Sequence, residues 1–148
     1  MSSPKKTVKA ELPLTNDAEV RSLVERFEQR TLPYEHWTHR AHLAVAISYV
    51  QQFSFDDALT RIRNNIQTYN RECGDPNGYH ETITVAFLKK ISAEHASERS
   101  KPTIHEEVAR VAQICTIEWL HSYYSKDVLS SADAKIGWIP PDLADADF

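Results

Sequence analysis

The sequence predicts an all-α protein, a compact single-domain bundle of five to six helices. Three observations carry this. Glycine occurs only three times. Apolar residues recur three and four positions apart rather than alternating. Most of the apolar-periodic segments are headed by Asn, Thr or Ser, the residues whose side chains accept the orphan N–H groups of a helix start.

The first helix opens at Asn16, with Glu19 three residues on in the spacing of a capping box. Val20, Leu23, Val24 and Phe27 form its apolar face, and it ends ahead of Pro33, since the residue before a proline is pushed out of the α region. Thr38 caps the second helix, which runs to about Phe53 with Leu43, Ala46, Ile47 and Val50 as its stripe. Ser54 with Asp57 opens the third, whose core residues are Leu59, Ile62, Ile66 and Tyr69. The turn cluster Gly74-Asp75-Pro76-Asn77-Gly78 stops it. The fourth starts near Tyr79 and buries Ile83, Phe87, Leu88 and Ile91; the polar stretch from Ser92 to Pro102 mixes a frayed helix end with a loop. Thr103 and Glu106 predict another capping box, and the fifth helix carries Val108, Val111, Ala112, Cys115 and Trp119. A short sixth, roughly Lys126 to Ile136, stops at Gly137. Pro140-Pro141 cannot continue a helix, and the apolar residues around that pair predict a tail docked on the body. Residues 1–15 are expected to be a flexible tail and 16–148 the single helical domain, with no internal repeat.

The bulk properties narrow the function classes. The chain has 148 residues, enough for one domain with its own core. Seventeen basic residues against twenty-one acidic ones give a net charge of -4, which argues against a nucleic-acid partner. Cys73 and Cys115 are too few and too far apart for a disulfide framework or a metal knuckle. No apolar run approaches the ~20 residues of a membrane span, and the start of the chain lacks the apolar stretch of a signal peptide. A cytoplasmic protein with no membrane partner is expected; the oligomeric state is not legible.

The most informative segment is Trp37-Thr38-His39-Arg40-Ala41-His42-Leu43. With Thr38 as cap, His39 and His42 fall in the first turn and share a face, in phase with Leu43, Ala46 and Val50. In Gly78-Tyr79-His80-Glu81-Thr82, a helix starting near Tyr79 puts His80 in phase with Ile83, Thr84, Phe87 and Ile91. A helix N-terminus and partial burial both disfavour imidazolium, and neutral imidazole is the form that binds metal. His39, His42 and His80 are therefore the candidate ligands of a divalent transition metal, zinc or iron, with a position left for water. Glu81 is the candidate catalytic residue, as proton shuttle or fourth ligand. Hydrogen-bonded core histidines are the plainer alternative. His80-Glu81-Thr82-Ile83-Thr84 begins like a zincin helix, but Thr84 stands where the second histidine belongs.

Tyr79, Tyr124, Arg63 and Trp37 are candidate substrate contacts, Arg63 as an anion clamp and Trp37 also as a hydrophobic staple. His36 is a spare ligand, whereas His95, His105 and His121 read as surface or interhelix residues. Asn70, Asp75 and Asn77 read as turn formers.

The WTHxAHL pattern at Trp37 to Leu43 and the GYHET pattern at Gly78 to Thr82 resemble those of an uncharacterised family of small bacterial proteins. The resemblance extends to Tyr123-Tyr124-Ser125 and Pro141-Asp142-Leu143, and so covers most of the chain after about Phe27. It implies a shared fold and site but no established activity. The expectation is a small metal-dependent enzyme, a hydrolase or oxygenase acting on a small molecule. The alternatives are a non-catalytic protein that binds a small ligand or metal, and a helical interaction module with structural histidines.

Overall fold

Local capping chemistry sets most of the helix starts. In the computed structural model, which describes residues 8–148, Asn16 accepts the Glu19 N–H at 2.9 Å and begins α1 (Asp17–Glu28). A 3₁₀ turn at Tyr34–His36 follows Pro33. Thr38 accepts the Ala41 N–H at 3.1 Å and starts α2 (His39–Gln52). Ser54 starts α3 (Phe55–Glu72) in the same way, accepting from Asp57. Beyond the Gly74–Gly78 turn lie α4 (Glu81–Ala96), α5 (Ile104–Ile114), α6 (Ile117–Tyr123), α7 (Lys126–Leu129) and α8 (Ala132–Ile136). No strand occurs among the described residues.

Two of the expected helices are each divided, which raises the number to eight among the described residues. The fifth breaks at Cys115, because Thr116 turns extended and caps a new helix by accepting the Trp119 N–H at 3.1 Å. The sixth breaks at Ser130–Ser131, where Ser131 accepts the Ala134 N–H and begins α8. Apolar periodicity did not reveal these breaks because both halves keep facing the same core. Thr103 does not cap α5 as expected: its hydroxyl donates to the Glu106 carboxylate at 2.5 Å instead of accepting an N–H.

The axis of the bundle is α2, against which α1, α3, α4 and α5 all pack. Its small residues Ala41, Ala44 and Ala46 are buried and allow neighbouring backbones to approach. At its start Trp37 stacks on Phe27 at 4.4 Å, and both rings meet Tyr69 of α3. The Tyr69 hydroxyl donates to the Leu32 carbonyl at 2.7 Å, satisfying a buried polar pair.

Both ends of the described segment pack on the body. Of the expected free tail, residues 1–7 lie outside the described residues. The remainder runs along the 3₁₀ turn, with Ala10 N–H on the Glu35 carbonyl at 2.8 Å and the Thr38 hydroxyl on Glu11 at 2.9 Å. At the other end, Leu143 N–H donates to the Tyr123 carbonyl at 2.9 Å, and Phe148 packs edge-on against Trp119 and Tyr123. No described helix is long and apolar enough to cross a membrane.

Ile47 of α2 has no exposed surface, so Ile47→Ala leaves a cavity that the packed helices cannot close. Urea unfolding should show a loss of about 2–5 kcal/mol. Ile136, which is 80% exposed, should change by no more than about 0.5 kcal/mol on the same truncation.

Candidate functional site

The histidines of the two motif segments differ in which ring nitrogens remain available. His42 Nδ1 lies 2.7 Å from the Thr38 carbonyl. A carbonyl only accepts, so Nδ1 carries the proton and Nε2 keeps its lone pair. The ring stacks on Trp37 at 3.7 Å and is half-buried. Burial drives its pKa from the ordinary 6.5 down to about 4, against the opposing effect of the Thr38 hydrogen bond and with smaller help from His39 and Lys9. The ring is therefore neutral at physiological pH.

His39 donates from Nε2 to the Cys115 carbonyl at 2.7 Å, the group left without an intrahelical partner where α5 ends. Its Nδ1 lone pair has no protein partner among the described residues. His80 differs from the expectation. It is not in α4 but is its N-cap, with Nδ1 accepting the Ile83 N–H at 3.2 Å. Its Nε2–H donates to the Leu129 carbonyl at the end of α7, at 2.7 Å. Both nitrogens are engaged, so His80 has no donor left for a metal. The expected three-histidine ligand set is not assembled. Among the described residues, no group of three or more His, Cys, Asp or Glu side chains is placed to hold a metal ion. His36 is likewise engaged, donating from Nδ1 to the Ala10 carbonyl at 2.8 Å. His95 and His105 join helices as interhelix residues, through Glu107 at 3.0 Å and Asp17 at 2.5 Å.

Glu81 is held as a carboxylate rather than as a proton shuttle. Arg63 grips it through two hydrogen bonds of 2.9 and 2.8 Å, and the Tyr79 hydroxyl donates to it at 2.6 Å. Burial alone would raise its pKa, but these donors outweigh burial and leave it below the usual range. Burial, and then the bond to Glu81, push the Tyr79 phenol upward, so it stays protonated. The anion clamp expected of Arg63 is directed at Glu81. Tyr124, expected as a substrate contact, is fully buried, and its hydroxyl donates to the Ile139 carbonyl at 2.6 Å, which anchors the tail.

Three adjoining chambers follow the α3–α4 face. The inner one, about 290 Å³, is walled by apolar residues such as Leu43, Ile62, Phe87 and Ile91, with His39 and His42 at its edge. The middle one, about 390 Å³, shares His42, Ile66, Ile83 and Thr84 with the inner one and adds Trp37, Asn70 and Tyr79. Both motif segments, Trp37 to Leu43 and Gly78 to Thr82, line this middle chamber. The outer one, about 480 Å³, shares Asn70 and Tyr79 with the middle one and is lined by Arg63, Arg71, Glu81 and Lys135.

Asn70 is the residue that the turn-former reading missed. It is 6% exposed, borders the middle and outer chambers, and its side-chain amide makes no hydrogen bond to another described residue. Gly74 makes room for it. A Cβ there would sit 3.2 Å from Asn70 Oδ1 and 2.9 Å from the Tyr34 ring. The available signal was the spacing Ile62, Ile66, Asn70, which places a polar residue in phase with the buried stripe of α3.

The state of His42 sets a pH dependence. Above pH 6.5 the ring is neutral folded or unfolded. As pH falls toward about 4 the unfolded chain takes up a proton that the folded chain refuses, so stability drops by about 3 kcal/mol across this window. In a histidine NMR titration the His42 ring should therefore not titrate between about pH 8 and pH 5; a midpoint near the model-peptide value of ~6.5 would show it to be hydrated.

The sequence matches no family model, no curated protein and no solved structure, so the functional reading rests on the site's own geometry.

Proposed function

We propose that the protein binds a small organic molecule in the chambers between α2, α3 and α4, with His42 and Asn70 recognising its polar groups. One observation carries this reading. Two side chains, the half-buried His42 imidazole at Nε2 and the largely buried Asn70 amide, line one cavity with hydrogen-bonding capacity that no described residue uses. The polar atoms of both reach solvent through the cleft, so a ligand that enters it can replace water as their hydrogen-bond partner. A few convergent polar groups in a mostly apolar cleft are the usual form of a small-molecule site. His42 only accepts, so the ligand must bring an O–H or N–H to Nε2. Asn70 both donates and accepts. The resemblance expected from the two motif segments then corresponds to a shared ligand cleft.

A second reading keeps the metal-dependent hydrolase or oxygenase expected from the sequence. It is favoured by His39 and His42, which edge one chamber and each retain a nitrogen lone pair. Elemental analysis of untagged protein separates the two. Under the binding reading, zinc and iron should be well below one per chain. About one metal per chain, lost in His42→Ala, would favour the metal enzyme instead.

The binding reading is tested directly by titrating wild type with a panel of small hydroxylated compounds that carry an apolar body, following Trp37 fluorescence. Compounds that bind wild type should bind Asn70→Ala and His42→Phe about tenfold or more weakly, the cost of one buried hydrogen bond. Equal binding by both variants would place the ligand elsewhere.

A further inference from the structure

The outer chamber differs from its neighbours in charge. Arg63, Arg71 and Lys135 line it against a single carboxylate, Glu81, although the chain as a whole carries a net charge of -4. Arg63 and Glu81 neutralise each other through their two hydrogen bonds. Arg71 and Lys135 are left as cations that form no ion pair among the described residues. Arg71 reaches only the Thr68 hydroxyl, at 3.3 Å, and Lys135 only the Asn77 carbonyl. The middle chamber adds Lys9 and Asp75, which offset each other.

The chambers therefore run from a cationic end, past the open groups of Asn70 and His42, to an apolar end. On α3 this path extends from Arg71 to Ile62, nine residues, or about 14 Å at 1.5 Å per residue. Resting on the binding site argued above, we propose that the ligand is a hydroxylated medium-chain organic anion. Its anionic head lies between Arg71 and Lys135 within reach of the Asn70 amide donor. Its hydroxyl donates to His42 Nε2, and its hydrocarbon body fills the chamber walled by Leu43, Phe87 and Ile91. A carboxylate and a phosphate head share this chemistry.

The test uses 3-hydroxydecanoate, its neutral counterpart 1,3-decanediol, unsubstituted decanoate and decyl phosphate, each titrated calorimetrically into the full-length protein. The hydroxy acid should bind about tenfold tighter than the diol, an advantage that shrinks as salt is raised. In the Arg71→Ala/Lys135→Ala double variant this advantage should vanish, while the diol binds as it does to wild type, which also shows that the variant is folded. Decyl phosphate outcompeting decanoate would assign the head as a phosphate, and the reverse order as a carboxylate. Equal affinity for acid and diol in wild type, or an acid preference that survives the double variant, would overturn the anionic head and leave the cleft reading standing. If none of the four compounds binds, both readings fall.

Discussion

Every helix end leaves backbone groups without an intrahelical partner, and the eight helices of the described residues have many such ends. Two of them organise this molecule. The carbonyl of Cys115, at the end of α5, accepts from His39 in the first turn of α2, and the carbonyl of Leu129, at the end of α7, accepts from the His80 cap of α4. These bonds tie two helix starts to two helix breaks. They fix the angle at which α2 and α4 enter the bundle, and the space between those starts and α3 is the middle chamber. Without the breaks, the carbonyls would be inside longer helices and unavailable to either imidazole.

This sorting of hydrogen-bonding capacity separates structure from candidate function. His39 and His80 each close a backbone gap, and His80 also caps its helix with the other nitrogen. Arg63, Glu81 and Tyr79 satisfy one another. His95 serves the fully buried carboxylate of Glu107, which also accepts from Gln51. What remains open along the cleft is the His42 Nε2 and the Asn70 amide, with the two free cations beyond them. Residue types alone could not make this distinction, since the three motif histidines are chemically identical until their partners are known.

The fold class was legible because capping and apolar spacing are local. Asn16, Thr38 and Ser54 cap the helices they were expected to cap, and the stripes that follow them are buried. The site was legible in part. The two motif segments do meet at one cavity, but the place of His80 at the cap was not legible because imidazole is not among the usual capping groups. The start of α4 at Glu81, two residues beyond Tyr79, moved it from the helix face to the cap. The break at Cys115 was hidden by tertiary compensation, since α6 continues the buried pattern of α5. Asn70 was taken for a turn residue because it stands next to a turn, although the stripe on which it lies belongs to α3.

The convergence of two open polar groups on one largely apolar cleft is the strongest physical argument for a ligand. Each replaces apolar surface that the helix faces around it would otherwise bury. Leucine at position 70 would extend the Ile62, Ile66 stripe, and phenylalanine at position 42 would continue the Phe27–Trp37 stack; either would close the cavity and add apolar burial. Instead the chain carries an amide against which Gly74 leaves the room that a Cβ would take. It also carries an imidazole whose protonated form the surroundings exclude. Holding a neutral acceptor and an amide on the wall of one cleft does nothing for the packing of α2 against α3, and it suits a ligand whose own polar groups complete the set.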